Sequence, residues 1–217
     1  MLRINDVTPD FNANTTLGEI NFHEWIGDNW VVFFSHPKDF TPVCTTELGH
    51  MAKIQSEFAL RDCKLIGLSV DDLESHFEWT KDIEEINSVS VSYPIIADTD
   101  LSIAKLYNML PADEEDSYKN RTPALNATVR SIFIIDPTKK IRLMMTYPMT
   151  TGRNFDEILR VIDSIQLTSQ HKVATPANWR QGESVIIAAS VSDDEAKGLF
   201  KKGWKTVKSY LRIVDQP

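Results

Sequence analysis

The chain is short of the features that would tie it to an oxidising compartment, a membrane or a nucleic acid. Two cysteines in 217 residues cannot build the disulfide framework of a secreted scaffold. A reducing compartment, most simply the cytoplasm, is the expected setting. No apolar run approaches the ~20 residues that span a bilayer. Residues 1–6 lack the apolar core of a secretory signal, so the Asn-x-Thr matches at Asn14, Asn120 and Asn126 read as chance. Basic residues are outnumbered, 23 Lys and Arg against 31 Asp and Glu, for a formal net charge of -8. That balance argues against nucleic acid or an anionic membrane surface as a partner. No internal repeat or low-complexity tract interrupts the chain. What remains, 42% hydrophobic and 25% charged residues, is globular in composition. The length suits one large domain, or a domain with a small appendage.

Periodicity gives the organisation. Residues 31–35 read as a buried strand and 44–60 as a helix with Leu48, Met51, Ile54 and Phe58 on one face. Residues 64–70 form a second strand, after which Asp71 and Asp72 can cap a helix carrying Leu73, Phe77, Trp79 and Ile83. A short strand at 94–97 and a short helix at 101–107 precede a polar stretch, 110–126, whose acidic run at 113–116 reads as an exposed loop. Residues 131–136 and 141–147 suggest a hairpin, and 154–166 an amphipathic helix with Phe155, Ile158, Leu159, Ile162 and Ile165 inward. Strand–helix alternation followed by a hairpin and a helix indicates an α/β layered fold with a mixed sheet. Composition shifts after Leu167. Residues 173–180 read as a connection, 185–189 as a short strand, Ser192 to Glu195 as a capping box, and 209–214 as an edge strand. The expected division is a main domain, 1–167, and a small α+β domain, 168–217. The second is poor in apolar residues, so it is expected to pack on the main domain or on a second subunit.

The most informative segment is Phe40-Thr41-Pro42-Val43-Cys44-Thr45-Thr46-Glu47. It follows an apolar strand and opens a helix, so Cys44 falls at or just inside the helix N-terminus, where free N–H groups and the dipole favour an anion. The thiolate is the nucleophilic form of cysteine. Pro42 suits the first helical turn, and Thr41 brings a hydroxyl able to donate to a thiolate or to a bound oxygen. Cys44 reads either as a small buried apolar residue or as a reactive thiol; the strand–Thr-Pro-x–helix junction favours the second. Candidate charge partners lie at other element ends: Arg130 before the strand at 131–136, Arg153 before the helix at 154–166, and His36 between the first strand and the Cys44 turn. Spacing alone does not assemble them.

With these residues in view, the chain resembles the one-cysteine type of peroxiredoxin over nearly its whole length. The resemblance rests on residues 34–47, 147–160 and 173–179, the first being highly specific. It implies a thioredoxin-like fold with a mixed central sheet, a C-terminal α+β domain, and a thiol-dependent peroxidase acting on hydrogen peroxide and organic hydroperoxides. It assigns Cys44 as the peroxidatic cysteine, cycling through sulfenic acid. Thr41 and Arg130 become the groups that activate it and bind the peroxide. Pro42 shields the thiolate, and Glu47, Arg153 and His36 support the site. It further implies an external thiol reductant, a homodimer, and no bound cofactor or metal. The competing reading is a redox sensor or chaperone-like oligomer that uses Cys44 oxidation to act on a partner.

Two departures stand out. Family members usually carry Pro-Leu-Thr-x-Arg before the strand, where this chain has Asn126-Ala127-Thr128-Val129-Arg130, so the loop is expected to take another path. Some one-cysteine members have a phospholipase activity linked to Gly-Asp-Ser-Trp-Gly. Here the stretch is Gly27-Asp28-Asn29-Trp30-Val31, and Thr138 replaces the expected Asp, so only His23 of the three groups remains. Cys63, at a strand start, reads as structural. His50 and His76 read as helix-surface or packing residues, and His171 as a linker residue.

Overall fold

The computed structural model describes residues 1–112 and 126–217, so the acidic run at 113–116 lies outside the described residues. Packing divides the chain into two compact units, Met1–Arg153 and Asn154–Pro217. The helix at 154–166 thus groups with the C-terminal unit, whereas the expected boundary at 167 had kept it in the main domain.

The first unit is built on strands β1 (Asn12–Thr15), β2 (Gly18–Asn21), β3 (Trp30–Ser35), β4 (Cys63–Ser69), β5 (Ile95–Ala97), β6 (Arg130–Ile135) and β7 (Ile141–Tyr147). They form one sheet in the order β2-β1-β5-β4-β3-β6-β7. Strands β3, β4 and β5 run parallel, while β6 and β7 are antiparallel to their neighbours. This is the mixed sheet of a thioredoxin-like fold. Its centre is β3, whose continuous apolar run suits a strand covered on both faces. Val31 and Phe33 join Ile66, Leu68, Phe133 and Ile135 in one core with Phe22, Ile103 and Tyr107. The alternate residues Val32 and Phe34 point to the other face.

Helices α1 (Phe22–Ile26), α2 (Pro42–Ala59), α3 (Leu73–Asn87) and α4 (Ser102–Leu106) complete this unit. Helix α3 starts where expected, with the Asp72 side chain accepting from Ser75 N–H at 2.9 Å. Its buried stripe is His76, Trp79 and Ile83, while Phe77 is half exposed. Helices α2 and α3 approach so closely that a Cβ on Gly49 would collide with the Asn87 side chain. The hairpin of β6 and β7 turns on Asp136, whose Oδ1 accepts from Thr138 N–H, the Thr138 hydroxyl and Lys140 N–H. The β1–β2 hairpin escapes a periodicity reading because Asn12-Ala13-Asn14-Thr15 carries little of the apolar alternation that marks a strand.

The second unit holds α5 (Phe155–Gln170), β8 (Val173–Ala174), β9 (Val185–Ile187), α6 (Asp193–Leu199), β10 (Lys205–Lys208) and β11 (Leu211–Val214). Ser192 caps α6 by accepting from Glu195 N–H, as its sequence indicates. The four-stranded sheet runs β10-β11-β9-β8. Hence β11 is an interior strand, and the exposed β10 takes the edge that residues 209–214 were expected to occupy. A small core gathers Val173, Trp179, Val185, Ile187, Ala196 and Phe200.

Candidate active site

Cys44 is the third residue of α2. The helix begins two residues earlier than periodicity indicates, because Pro42 takes the first helical position and Thr41 the extended cap (φ -119°, ψ 146°). The first intrahelical bond runs from Thr45 N–H to Thr41 C=O at 2.9 Å, so the amides of Val43 and Cys44 lie in the unbonded first turn. Cys44 is fully buried and free of any disulfide.

Sheet register brings Arg130 to it. The antiparallel pairing of Phe34 with Ile132 sets the start of β6 beside the end of β3, where the Cys44 turn departs. The two residues just before Arg130 are pinned there: Ser35 Oγ donates to Val129 C=O at 2.6 Å, and Thr128 Oγ1 to His36 C=O at 2.8 Å. Arg130 Nη1 then lies 3.3 Å from Cys44 Sγ and 2.6 Å from Glu47 Oε2. Its Nε and Nη2 both donate to Met149 C=O, at 2.9 and 2.6 Å. Glu47, three residues after Cys44 on the same helix, also receives Arg153. That residue donates through its backbone N–H and Nε to Oε1, at 2.8 and 2.9 Å, and through Nη2 to Oε2 at 2.7 Å. Arg153 Nη1 reaches Ser35 C=O at 2.8 Å, and its guanidinium lies over the Phe34 ring.

Cys44, Glu47, Arg130 and Arg153 are all buried. Burial pushes the Glu47 carboxyl up, but the charge and hydrogen bonds of Arg153, then the charge of Arg130, outweigh it and hold it below its ordinary 4.5. Two guanidiniums therefore face one carboxylate away from water. A thiolate at Cys44 supplies the fourth charge and makes the cluster neutral, whereas an unmatched buried charge is costly.

The remaining expected residues fall differently. The Thr41 hydroxyl donates to Lys38 C=O at 2.8 Å, so its proton is committed and what it can offer is its lone pairs. That reverses the donor role expected of it. His36 belongs to another hydrogen-bonded group, in which its Nε2 pairs with Asp39 at 2.8 Å. Asp39 also takes His76 Nδ1 at 2.6 Å and Ser75 Oγ at 2.9 Å. His76 is thus a buried polar anchor, the packing rather than the helix-surface alternative of its sequence reading. Its i, i+3, i+7 spacing with Trp79 and Ile83 is the sequence signal that could have revealed it. Ligating atoms of His36, Asp39 and His76 lie within 4.8 Å of one another, yet the hydrogen bonds among them already occupy those atoms.

Cys63 stands at the other end of the sheet. It pairs with Trp30 at the start of β3, whereas the Cys44 turn follows the end of β3, roughly 16 Å along the strand. Burial pushes its thiol up to about 12. In the segment compared with phospholipase members, Asn29 Nδ2 donates to Ile26 C=O, and His23 Nε2 contacts the Thr8 hydroxyl and carbonyl at 3.1 and 2.9 Å.

Residues 4–144 match the family model described as AhpC/TSA family, and residues 164–203 match that of the C-terminal domain of 1-Cys peroxiredoxin. The chain belongs to the one-cysteine peroxiredoxins. The 1-Cys peroxiredoxin of Dictyostelium discoideum is 50% identical, over 100% of this chain and 86% of that protein. Among solved structures, a yeast mitochondrial 1-Cys peroxiredoxin is 53% identical with a TM-score of 0.92, covering 99% of this chain and 100% of the other. A cysteine-to-serine mutant of peroxiredoxin 6 from Arenicola marina reaches 0.90 at 45% identity, covering 100% of this chain and 99% of that one. This peroxiredoxin is therefore a thiol-dependent peroxidase that works through a single peroxidatic cysteine. Among its described residues no helix is long and apolar enough to cross a membrane.

Proposed function

We propose that Cys44 is the peroxidatic cysteine and that Arg130, Glu47 and Arg153 form its electrostatic frame. The carrying observation is the shared Arg130 Nη1, 3.3 Å from the sulfur and 2.6 Å from Glu47. The thiolate attacks the distal oxygen of a hydroperoxide; the S–O bond forms as the O–O bond breaks, and two electrons pass from sulfur to the peroxide. Cys44 becomes a sulfenic acid, and the departing alkoxide or hydroxide takes a proton to leave as alcohol or water. Among the described residues, four of the five Arg130 N–H donors are engaged. The fifth, on Nη2, is available to the departing oxygen, where a fixed donor counts most. Thr41 Oγ1, with its own proton committed, accepts from the peroxide O–H and orients it. Pro42 carries no N–H and walls the first turn.

An external thiol returns sulfenic Cys44 to the thiol, because Cys63 is too far away. The yeast relative is described as resolved by glutathione/thioredoxin systems, and a reductant of that class is our reading here. A cytoplasmic setting is supported by the two unpaired cysteines, and a homodimer by β7, which ends the sheet with Leu143, Met144 and Met145 only partly covered. The test is steady-state peroxide consumption with glutathione or thioredoxin as electron donor. Repeated turnover by the full chain, lost in Cys44→Ser, is expected; oxidation that stops at one equivalent with every donor would favour the sensor reading instead.

A further inference from the structure

We propose that His76 is an imidazolium whose ion pair with Asp39 positions the Cys44 turn for the peroxidase reaction. The proposal rests on reading Cys44 as the peroxidatic cysteine and concerns residues outside the cluster around it.

The hydrogen-bond geometry assigns the protons. His76 Nε2 lies 3.2 Å from Ile96 C=O, an oxygen that only accepts. Its Nδ1 lies 2.6 Å from Asp39 Oδ2. A neutral imidazole has one N–H and would leave one of these contacts without a donor; the doubly protonated ring satisfies both. Asp39 behaves as the matching anion. Three donors converge on its carboxylate, from His36, His76 and Ser75. Burial pushes the Asp39 carboxyl up, but the side-chain hydrogen bonds of His36 and His76 outweigh it and hold it well below the usual range. His36 is the neutral member. Its Nε2–H serves Asp39, and among the described residues its buried Nδ1 has no partner, so a second proton there would be a buried donor with nothing to meet. The group therefore holds one cation and one anion, each fully enclosed.

This pair clamps one short piece of chain. Asp39 is also held by its main chain, with N–H donating to Asp71 Oδ2 at 3.0 Å, an oxygen that takes Ser69 Oγ as well. The next residue, Phe40, is half exposed and left-handed, with φ of 52°, a conformation that a bulky side chain keeps only where its surroundings impose it. Thr41, Pro42 and Cys44 follow directly. With α3 and the end of β4 holding Asp39 on one side, and α2 starting on the other, Phe40 has no freedom to relax. Trp79, one turn beyond His76, adds a second tie by donating to Thr45 Oγ1 at 3.1 Å. Loss of the charge pair frees Phe40 and lets Cys44 drift from the Arg130 nitrogen, and such a displacement slows a reaction that depends on alignment.

The test has two arms on the full chain. In the wild type labelled with [15N]histidine, both ring nitrogens of His76, assigned by comparison with His76→Gln, are expected to show protonated shifts; one unprotonated nitrogen overturns the proposal. In the second arm, Asp39→Asn and His76→Gln are compared with wild type in single-turnover reaction with hydrogen peroxide and in alkylation by iodoacetamide. Peroxide reaction is expected to fall roughly tenfold or more while alkylation, which needs no aligned peroxide, changes far less. Unchanged peroxide rates, or both reactions falling together, overturn the positioning role. Should the variants not fold, the wild-type spectrum still decides the charge assignment on which the role depends. Cys44→Ser, run alongside, separates the two readings: activity in that variant would remove Cys44 as the reacting sulfur while leaving the spectroscopic result intact.

Discussion

Cys44 and Glu47 stand three residues apart on α2 and meet on the same nitrogen of Arg130, at 3.3 and 2.6 Å. One turn of helix thus presents the sulfur and the carboxylate to a single guanidinium, and Arg153 holds that carboxylate from the other side. The carboxylate keeps Arg130 aimed, and Arg130 faces the sulfur with a donor whose direction is fixed before any substrate arrives.

Replacing Arg130 by Met should slow peroxide reduction by about 10²–10³, the usual loss on removing a fixed donor from developing negative charge. Stopped-flow oxidation of Cys44 would measure this. A loss of less than tenfold, with the fold intact by circular dichroism, would remove Arg130 from the mechanism.

Glu47 links the site to acid stability. Its folded carboxyl titrates below the ordinary 4.5, so its contribution is present above that value and is lost as pH falls through the lower folded value. Glu47→Gln should destabilise the protein at neutral pH by about 3–5 kcal/mol, since two buried guanidiniums lose their shared anion. It should also flatten the acid limb of stability below about pH 4.5; Asp39, likewise depressed, keeps part of that limb. Urea unfolding from pH 3 to 7 is the measurement, and parallel curves for variant and wild type would contradict the account.

Cys63→Ser should keep nearly full peroxidase activity, whereas Cys44→Ser should have none. Without an added thiol, wild type should complete about one turnover and then accumulate sulfinic Cys44. Mass spectrometry after peroxide treatment checks both points. A Cys44–Cys63 disulfide as main product would require the two ends of β3 to meet.

Gly49→Ala should cost about 1–3 kcal/mol, as overpacking does elsewhere, because its Cβ would strike Asn87 on α3. Pairing it with Asn87→Ala should recover much of that loss in thermal melts. No recovery would place the strain elsewhere.

Phospholipid hydrolysis should be absent. Asn29 offers no nucleophilic oxygen and Thr138 no carboxylate beside His23. Activity that survives repurification and persists in Asn29→Ala would overturn that expectation.

Local interactions made part of this protein readable from its residues. The caps at Asp72, Asn154 and Ser192 each close on an amide three residues ahead. The turn at Asp136 closes within four residues, and Pro42 and Thr41 mark the start of α2 within a few residues of Cys44. Such contacts need only neighbouring chain, so residue type and spacing suffice. Arg130 and Arg153 stand out at element ends and the family resemblance added Glu47, but neither shows what joins them. Arg130 lies 86 residues from Cys44, and Arg153 lies 106 from Glu47. Only the tertiary fold sets them side by side, Arg130 through the register of β6 against β3. The same holds for the burial of His76 against Asp39 and the interior place of β11. In each case the deciding partner is a backbone oxygen, a carboxylate or a strand whose position depends on the folded sheet, and local periodicity carries no record of it.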